Sequence, residues 1–378
     1  MTYKETLFFV AKCLTINHEE HNKRIVEEML QSNTVDWDAI VKLSTAHFVF
    51  PALYCNLKRA SFLSYLPEDL VEYMKYITDL NRERNEQIIA QAKELNTLLL
   101  AHNITPVFIK GTGNMLEGLY EDIAERMVGD IDFLFSKEDY PKAIELLKNN
   151  GYIPKPKPSK FKLRPTLLVN SKQRHFPRLL NKIKIAAIEI HKELLIKNYT
   201  KEFNYDFIKD SIQKIHEVSV LSFKDQLSLS IIASQINDYG FEHKSLTLRN
   251  AYDVFLLSKK TNAKKAFLEF NALQHPLYCF LASCYEIFNK PKSLKYNTSI
   301  KTEKYLALFF KFINNRELAK KKINKLTRKR IIKRKIVVMF EKIWKPLFYK
   351  NYRIWLLERI TDKNWRKAKL IQLGLKKP

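Results

Sequence analysis

Seven glycines in 378 residues leave this chain few places to turn sharply, and such scarcity is tolerable only if most of it is helical. Four of the seven, Gly111, Gly113, Gly118 and Gly129, crowd into nineteen residues. Glycine gathers where a backbone needs positive φ or must let a ligand come close, so chemistry is expected in that stretch.

The elements around the cluster read as a small core of strands and helices. TPVFIKGTG, from Thr105, is a short β-type run ending in glycines, NMLEGLYED reads as a helix, and DIDFLF as a second strand. Ser136 and Asp139 suit a capping box for the helix KEDYPKAIELLKNN, which Gly151 stops. From Tyr152 to about Leu167 the Pro- and Lys-rich IPKPKPSKFKLRP predicts an extended basic loop. RHFPRLL and KIKIAAIEIH then read as two strands joined at Asn181 and Lys182. Alternation in the second puts Ile185, Ala187, Glu189 and His191 on one face. Residues 1–103 read as a helical segment, 104–204 as the α/β core, 205–300 as a helical domain, and 301–378 as a basic, aromatic-rich helical segment. The predicted class is α+β: a small mixed sheet flanked by helices at both ends.

Within GDIDFLF, Asp130 and Asp132 alternate with Ile131, Phe133 and Phe135. Residues two apart on a strand share a face, about 6.5 to 7 Å apart, so the two carboxylates converge while the apolar residues anchor the other side. Buried carboxylates need a counter-charge, and a hard cation such as Mg²⁺ suits them. Glu189, on another strand, is a third ligand candidate. Taken singly, a DxD strand is more often a solvated face or an N-terminal edge, and Glu189 has many lysines to pair with; the ordered set carries the reading.

That set resembles the DNA polymerase β type of nucleotidyltransferase: a strand, a Gly-Ser-like turn, a helix, Asp-x-Asp, then a later acid. More closely it resembles the uncharacterised bacterial nucleotidyltransferase family. The matching residues are Lys110 and Gly111, Arg126, Asp130 and Asp132, Gly151 and Tyr152, then Glu189 and His191, with similar flanking helices in AHFVFPALYCNL and LRNAYDVFLL. The resemblance covers roughly residues 40–260, and Thr112 and Glu189 stand where the family more often has Ser and Asp.

The resemblance implies an enzyme that moves a nucleoside monophosphate from an NTP to a hydroxyl acceptor and releases pyrophosphate. The acceptor is RNA, a protein side chain, or a sugar or other small metabolite. Asp130, Asp132 and Glu189 would be the catalytic, metal-holding acids for Mg²⁺ or Mn²⁺, with Glu189 helping to remove the acceptor's proton. Lys110, Gly111, Thr112 and Arg126 would bind the nucleotide phosphates, at a helix N-terminus that favours anions. Lys110 equally suits a strand-end cap, and Arg126 an ion pair with Glu121, Asp122 or Glu125. His191 suits a supporting role beside Glu189 or a place in the core. Arg249 and Asp253, one turn apart, read as an intrahelical pair. The alternative to an enzyme is a binding protein that keeps this fold and holds nucleic acid or a membrane surface; retention of all three acids argues for the enzyme. No P-loop, kinase, HExxH or GxSxG motif is present.

The net charge of +26 is lopsided: residues 301–378 hold 25 Lys and Arg against 5 Asp and Glu. Such a tail suits nucleic acid, an anionic membrane, or simple packing of its aromatics with lysines in water; the last reading is favoured for most of the apolar residues. Four scattered cysteines without metal spacing read as reduced, buried thiols. No apolar stretch reaches the roughly 18 to 20 residues of a membrane span, so a cytoplasmic, at most membrane-peripheral, location is expected.

Overall fold

The strands richest in buried apolar residues lie in the middle of the sheet, two of them interrupted on one face by acids and a histidine. Among the described residues seven strands form one mixed sheet: Val107–Ile109 (β1), Asp130–Leu134 (β2), Ile153–Pro154 (β3), Leu179–Leu180 (β4), Ala187–His191 (β5), Gln213–Ile215 (β6) and Val218–Val220 (β7). Their order is β3-β4-β5-β2-β1-β7-β6. Phe108, Ile131, Phe133 and Ile188 are fully buried in β1, β2 and β5. β2 runs parallel to β5 and antiparallel to β1. The computed structural model describes residues 1–154, 174–196 and 199–372. The basic loop expected after Tyr152 lies largely outside them.

One expectation is corrected. The chain beyond residue 205 is not wholly helical, because β6 and β7 form a hairpin and β7 pairs in parallel with β1. Its two-residue turn puts His216 and Glu217 at φ +45° and +67°, a left-handed pair in which Asn-Gly is the usual signal. The strand expected in KIKIAAIEIH is also shorter and begins at Ala187. The α+β class, with a seven-stranded mixed sheet flanked by helices, holds.

Four helices, Tyr3–Cys13 (α1), Glu20–Gln31 (α2), Trp37–Ala46 (α3) and Phe50–Arg59 (α4), precede the 33-residue Glu68–Leu100 (α5). Amides on the buried face of α5 stand where apolar residues would be expected. Asn81 and Asn85 donate to the carbonyls of Ile123, Ala124 and Arg126, and Gln91 to that of Ala186. Loop carbonyls buried without such donors would each cost about 1–3 kcal/mol, so α5 serves as a template for the turn that leads into β2. Lys110–Leu116 (α6) follows β1 directly, with Lys110 at φ +57°. A Cβ on Gly113 would lie 2.8 Å from the Phe108 carbonyl oxygen, so close approach of α6 to β1 requires glycine there. Asp139–Asn149 (α7) begins where the Ser136 hydroxyl accepts from the Asp139 amide at 3.0 Å, and Gly151, at φ +82°, follows its end. Phe223–Ile232 (α8) and Leu248–Lys260 (α9) come after the hairpin.

The described residues divide into two compact units, one of residues 1–154 with 174–316 and the other of residues 317–372. In the second, Arg316–Phe348 is followed by Lys350–Thr361 and Lys363–Gln372. Ile332, Ile336, Met339, Phe340 and Leu347 are exposed there, as are Trp344 and Phe348. The expectation that most apolar side chains of the tail are packed away is therefore corrected for this unit, where Tyr352 is the buried exception among the described aromatics, whereas Tyr305, Phe309 and Phe312 earlier in the tail are buried. The four cysteines are free and buried, as read from the sequence, and burial pushes the Cys279 thiol up to about 12. Among the described residues no helix is long and apolar enough to cross a membrane.

Glu117, just past α6, gives a test of the packing. Both its carboxylate oxygens are buried, with no partner among the described residues, and burial pushes its carboxyl up to about 8 against the pull of Lys260. A carboxyl whose folded pKa is raised is most favourable while protonated, so its share of stability is lost as pH rises from the ordinary carboxylate range through 8. Glu117→Gln is expected to raise the thermal midpoint at pH 8.5, and to do so less at pH 6. Equal midpoints at both pH values would contradict this environment.

Candidate active site

The register of two parallel strands sets the site. Asp132 of β2 lies opposite Glu189 of β5, while Asp130 lies opposite Ala187 and Leu134 opposite His191. The alternation of β5 therefore presents Glu189 and His191 on the face that carries Asp130 and Asp132. Asp132, Glu189 and His191 each bring a ligand atom within 4.8 Å of the others. All three are buried, and Asp130 is partly so.

Cations already sit on these acids. The Lys110 ammonium lies 2.6 Å from Asp132 Oδ1, 3.3 Å from His191 Nε2 and 3.9 Å from Glu189 Oε2. Arg178, just before β4, donates to Glu189 Oε1 through Nε (3.0 Å) and Nη2 (2.7 Å), and Nη2 also reaches Asp130 Oδ2 at 2.7 Å. Burial tends to raise all three acids. For Asp132 it is outweighed by Lys110 and His191, and for Glu189 by His191, Lys110 and Arg178, so both are held below their ordinary values. For Asp130, burial and the charges of Asp132 and Glu189 win, pushing it up to about 6. The acids make Lys110 a stronger base, against its own burial.

The donor set fits a hard divalent cation. Asp132 and Glu189 both face the Lys110 ammonium, and Asp130 shares the Arg178 guanidinium with Glu189. His191 fits a supporting position better than a ligand position. Its Nε2 lies 2.7 Å from Asp132 Oδ1, and its Nδ1 is buried with no partner among the described residues. A ligating imidazole nearly always donates its other N–H to an acceptor, which is missing here. The economical tautomer has Nε2–H donating to Asp132.

The other residues read from the sequence fall around this centre. Gly111 lies on the cleft wall, where a Cβ would come within 3.0 Å of Val128 and 3.5 Å of the Arg126 guanidinium. Thr112 is fully buried and donates its hydroxyl to the Asp130 carbonyl at 3.0 Å, fixing the start of β2. Arg126 is buried and forks onto Asp253 of α9 at 3.0 and 3.1 Å through Nε, with Nη2 at 3.0 Å. The local acids are taken elsewhere: Glu121 and Glu125 by Arg59, Asp122 by Arg82. Asp253 also accepts from Tyr120 at 2.7 Å. Arg249 thus makes no ion pair with Asp253 within 4.0 Å, and the intrahelical pair expected from the sequence is absent.

A cleft of about 190 Å³ opens over the acids. Lys110, Gly111, Arg126, Asp130 and Asp132 line one side; Asn237, Asp238, Arg249 and Asn250 line the other. Sequence reasoning missed Arg178, which the antiparallel pairing of Leu179 with Ile188 places across from Glu189.

Comparison with known proteins bears on this arrangement. A family model described as "Uncharacterised nucleotidyltransferase" matches residues 33–288, somewhat more than the span over which the motifs resemble it. No curated protein matches the chain. Among solved structures, the crystal structure of JHP933 from Helicobacter pylori aligns at 15% identity over 70% of this chain and 99% of that one, with a TM-score of 0.27, a likeness too slight to bear on the site. With the family model covering most of its length, the chain belongs to the uncharacterised nucleotidyltransferase family.

Proposed function

We propose that the protein transfers a nucleoside monophosphate from an NTP to a hydroxyl acceptor and releases pyrophosphate. The observation that carries this reading is the gathering of Asp130, Asp132 and Glu189 on one face of two parallel strands, with Asp130 and Asp132 lining a cleft walled by the Lys110–Gly111 turn. Asp130, Asp132 and Glu189 are the residues that would hold a divalent cation, Mg²⁺ or Mn²⁺. Such an ion supplies Lewis-acid neutralisation of phosphate charge and lowers the pKa of a hydroxyl.

The chain's own residues do the rest. His191 orients Asp132 through its Nε2–H, and Arg178 keeps Asp130 and Glu189 aligned. Glu189 accepts the proton of the attacking hydroxyl, directly or through water. Gly111 lets phosphate oxygens come close to the backbone, and the long stem of Lys110 lets its ammonium turn from Asp132 toward them. Thr112 and Arg126 act here by holding β2 and the cleft wall in position.

The test is incubation of the full chain with each α-labelled NTP and Mg²⁺ or Mn²⁺, offered RNA, protein and small hydroxyl acceptors in turn. Label transfer to one class, with stoichiometric pyrophosphate, is the expected result. Absence of transfer to all three, together with no cation-dependent NTP binding, would overturn the reading.

A further inference from the structure

Most cations around the cleft are already committed. Lys110 is bound to Asp132, Arg178 bridges Asp130 and Glu189, and Arg126 forks onto Asp253. Arg249, on the opposite wall, differs: among the described residues it makes no ion pair within 4.0 Å, and its Nε is buried without a hydrogen-bond partner. Its natural partner one turn along α9, Asp253, is taken by Arg126 and Tyr120. Burial and the nearby charge of Arg126 make Arg249 easier to deprotonate, the mark of a cation with too little negative charge around it.

The fold nevertheless holds Arg249 in place. Its guanidinium carbon lies 4.9 Å from the centre of the Phe48 ring, and Phe48 is itself held at φ +57°. A bulky residue in the left-handed region costs on the order of 1–3 kcal/mol, and such strain persists where surrounding structure enforces it. The start of α9 is tied to the same loop: the Leu248 amide donates to His47 Nδ1 at 3.1 Å and the Arg249 amide to the His47 carbonyl at 3.3 Å. Beside it, Ala233–Asn237 forms a π-helical turn, a distortion common at ligand sites, and Asn237 Oδ1 is buried in the same wall without a partner.

From these observations we propose that Arg249 is the residue that grips the triphosphate of the nucleotide, from the helical wall facing the acids. The proposal rests on the nucleotidyltransferase reading and deepens it. A guanidinium offers a planar fork that matches two phosphate oxygens, and its stack on Phe48 fixes the fork's plane before the ligand arrives. Arg126 cannot serve in this way without leaving a buried Asp253 uncompensated. Asp238 lies on the same wall; burial pushes its carboxyl up, against the weaker pull of Arg174, Lys110 and Arg249, and no ion pair within 4.0 Å joins it to Arg249.

The experiment is equilibrium binding of the α,β-methylene triphosphates of the four bases, with Mn²⁺, to the full chain and to Arg249→Ala and Arg249→Lys. The wild type is expected to bind at least one triphosphate. Its affinity should fall about 10- to 100-fold in Arg249→Ala and by a smaller factor in Arg249→Lys, as expected for a charge-assisted bidentate contact. The weaker affinity for the matching nucleoside should not change. The thermal midpoint of Arg249→Ala should equal or exceed that of the wild type, because an unpaired cation is being removed. Triphosphate binding as tight in Arg249→Ala as in the wild type would overturn the assignment to Arg249 alone. A wild type that binds none of the four would overturn the nucleotide reading and the Arg249 assignment with it.

Discussion

Asp132→Asn is expected to abolish divalent-cation binding at the site and to lower nucleotidyl transfer by on the order of a thousandfold. The substitution keeps an oxygen for His191 and Lys110 but removes the charge at the point where the acids converge. Its two readouts separate chemistry from folding. Mn²⁺ binding, followed by electron paramagnetic resonance, should disappear, whereas the thermal midpoint should move by only a few degrees. Asp130→Ala/Asp132→Ala should be inactive with every NTP. Transfer that persists in the double variant would place the chemistry elsewhere.

The second large effect concerns stability. Arg126→Met leaves Asp253 buried opposite an apolar chain, and Asp253→Leu leaves a buried guanidinium; each is expected to cost about 3–5 kcal/mol, because an uncompensated charge is left in the interior. The double variant Arg126→Met/Asp253→Leu should recover most of that loss, since a buried ion pair and a well-packed apolar pair are often close in free energy. Denaturant unfolding of the three proteins measures the coupling. Additive losses would show that the pair does not act as a unit.

The grouping of the candidate acids was legible because they sit at two-residue spacing in strands flanked by apolar residues, which puts them on one face. Glycine scarcity likewise located the turn, although Lys110, and not a glycine, takes the left-handed conformation at its start. What stayed hidden were partnerships across long stretches of chain. Arg178 looked like one residue of a strand, and only the pairing of β4 with β5 puts it over Glu189. Arg126 had three acids close by in sequence, yet its partner is 127 residues away. The β6–β7 hairpin escaped because its turn lacks glycine and asparagine, and the amides of α5 gave no sign that they would serve loop carbonyls.

Those long-range partnerships have a consequence for how substrate enters. Two consecutive residues of the loop before β2 bind two consecutive residues of α9: Glu125 accepts from Tyr252 at 2.6 Å, and Arg126 holds Asp253. The two walls of the cleft are thereby stitched by a double, fully interior seam, and they cannot part without breaking a charge pair in a dry environment. Hinge opening on the microsecond-to-millisecond scale is disfavoured on that account. Admission of the nucleotide falls instead to the long basic side chains at the rim, Lys110 and Arg178, which exchange rotamers in picoseconds to nanoseconds when free of their acids. The enzyme would then behave as a fixed vice with mobile jaws, and its turnover should be insensitive to solvent viscosity.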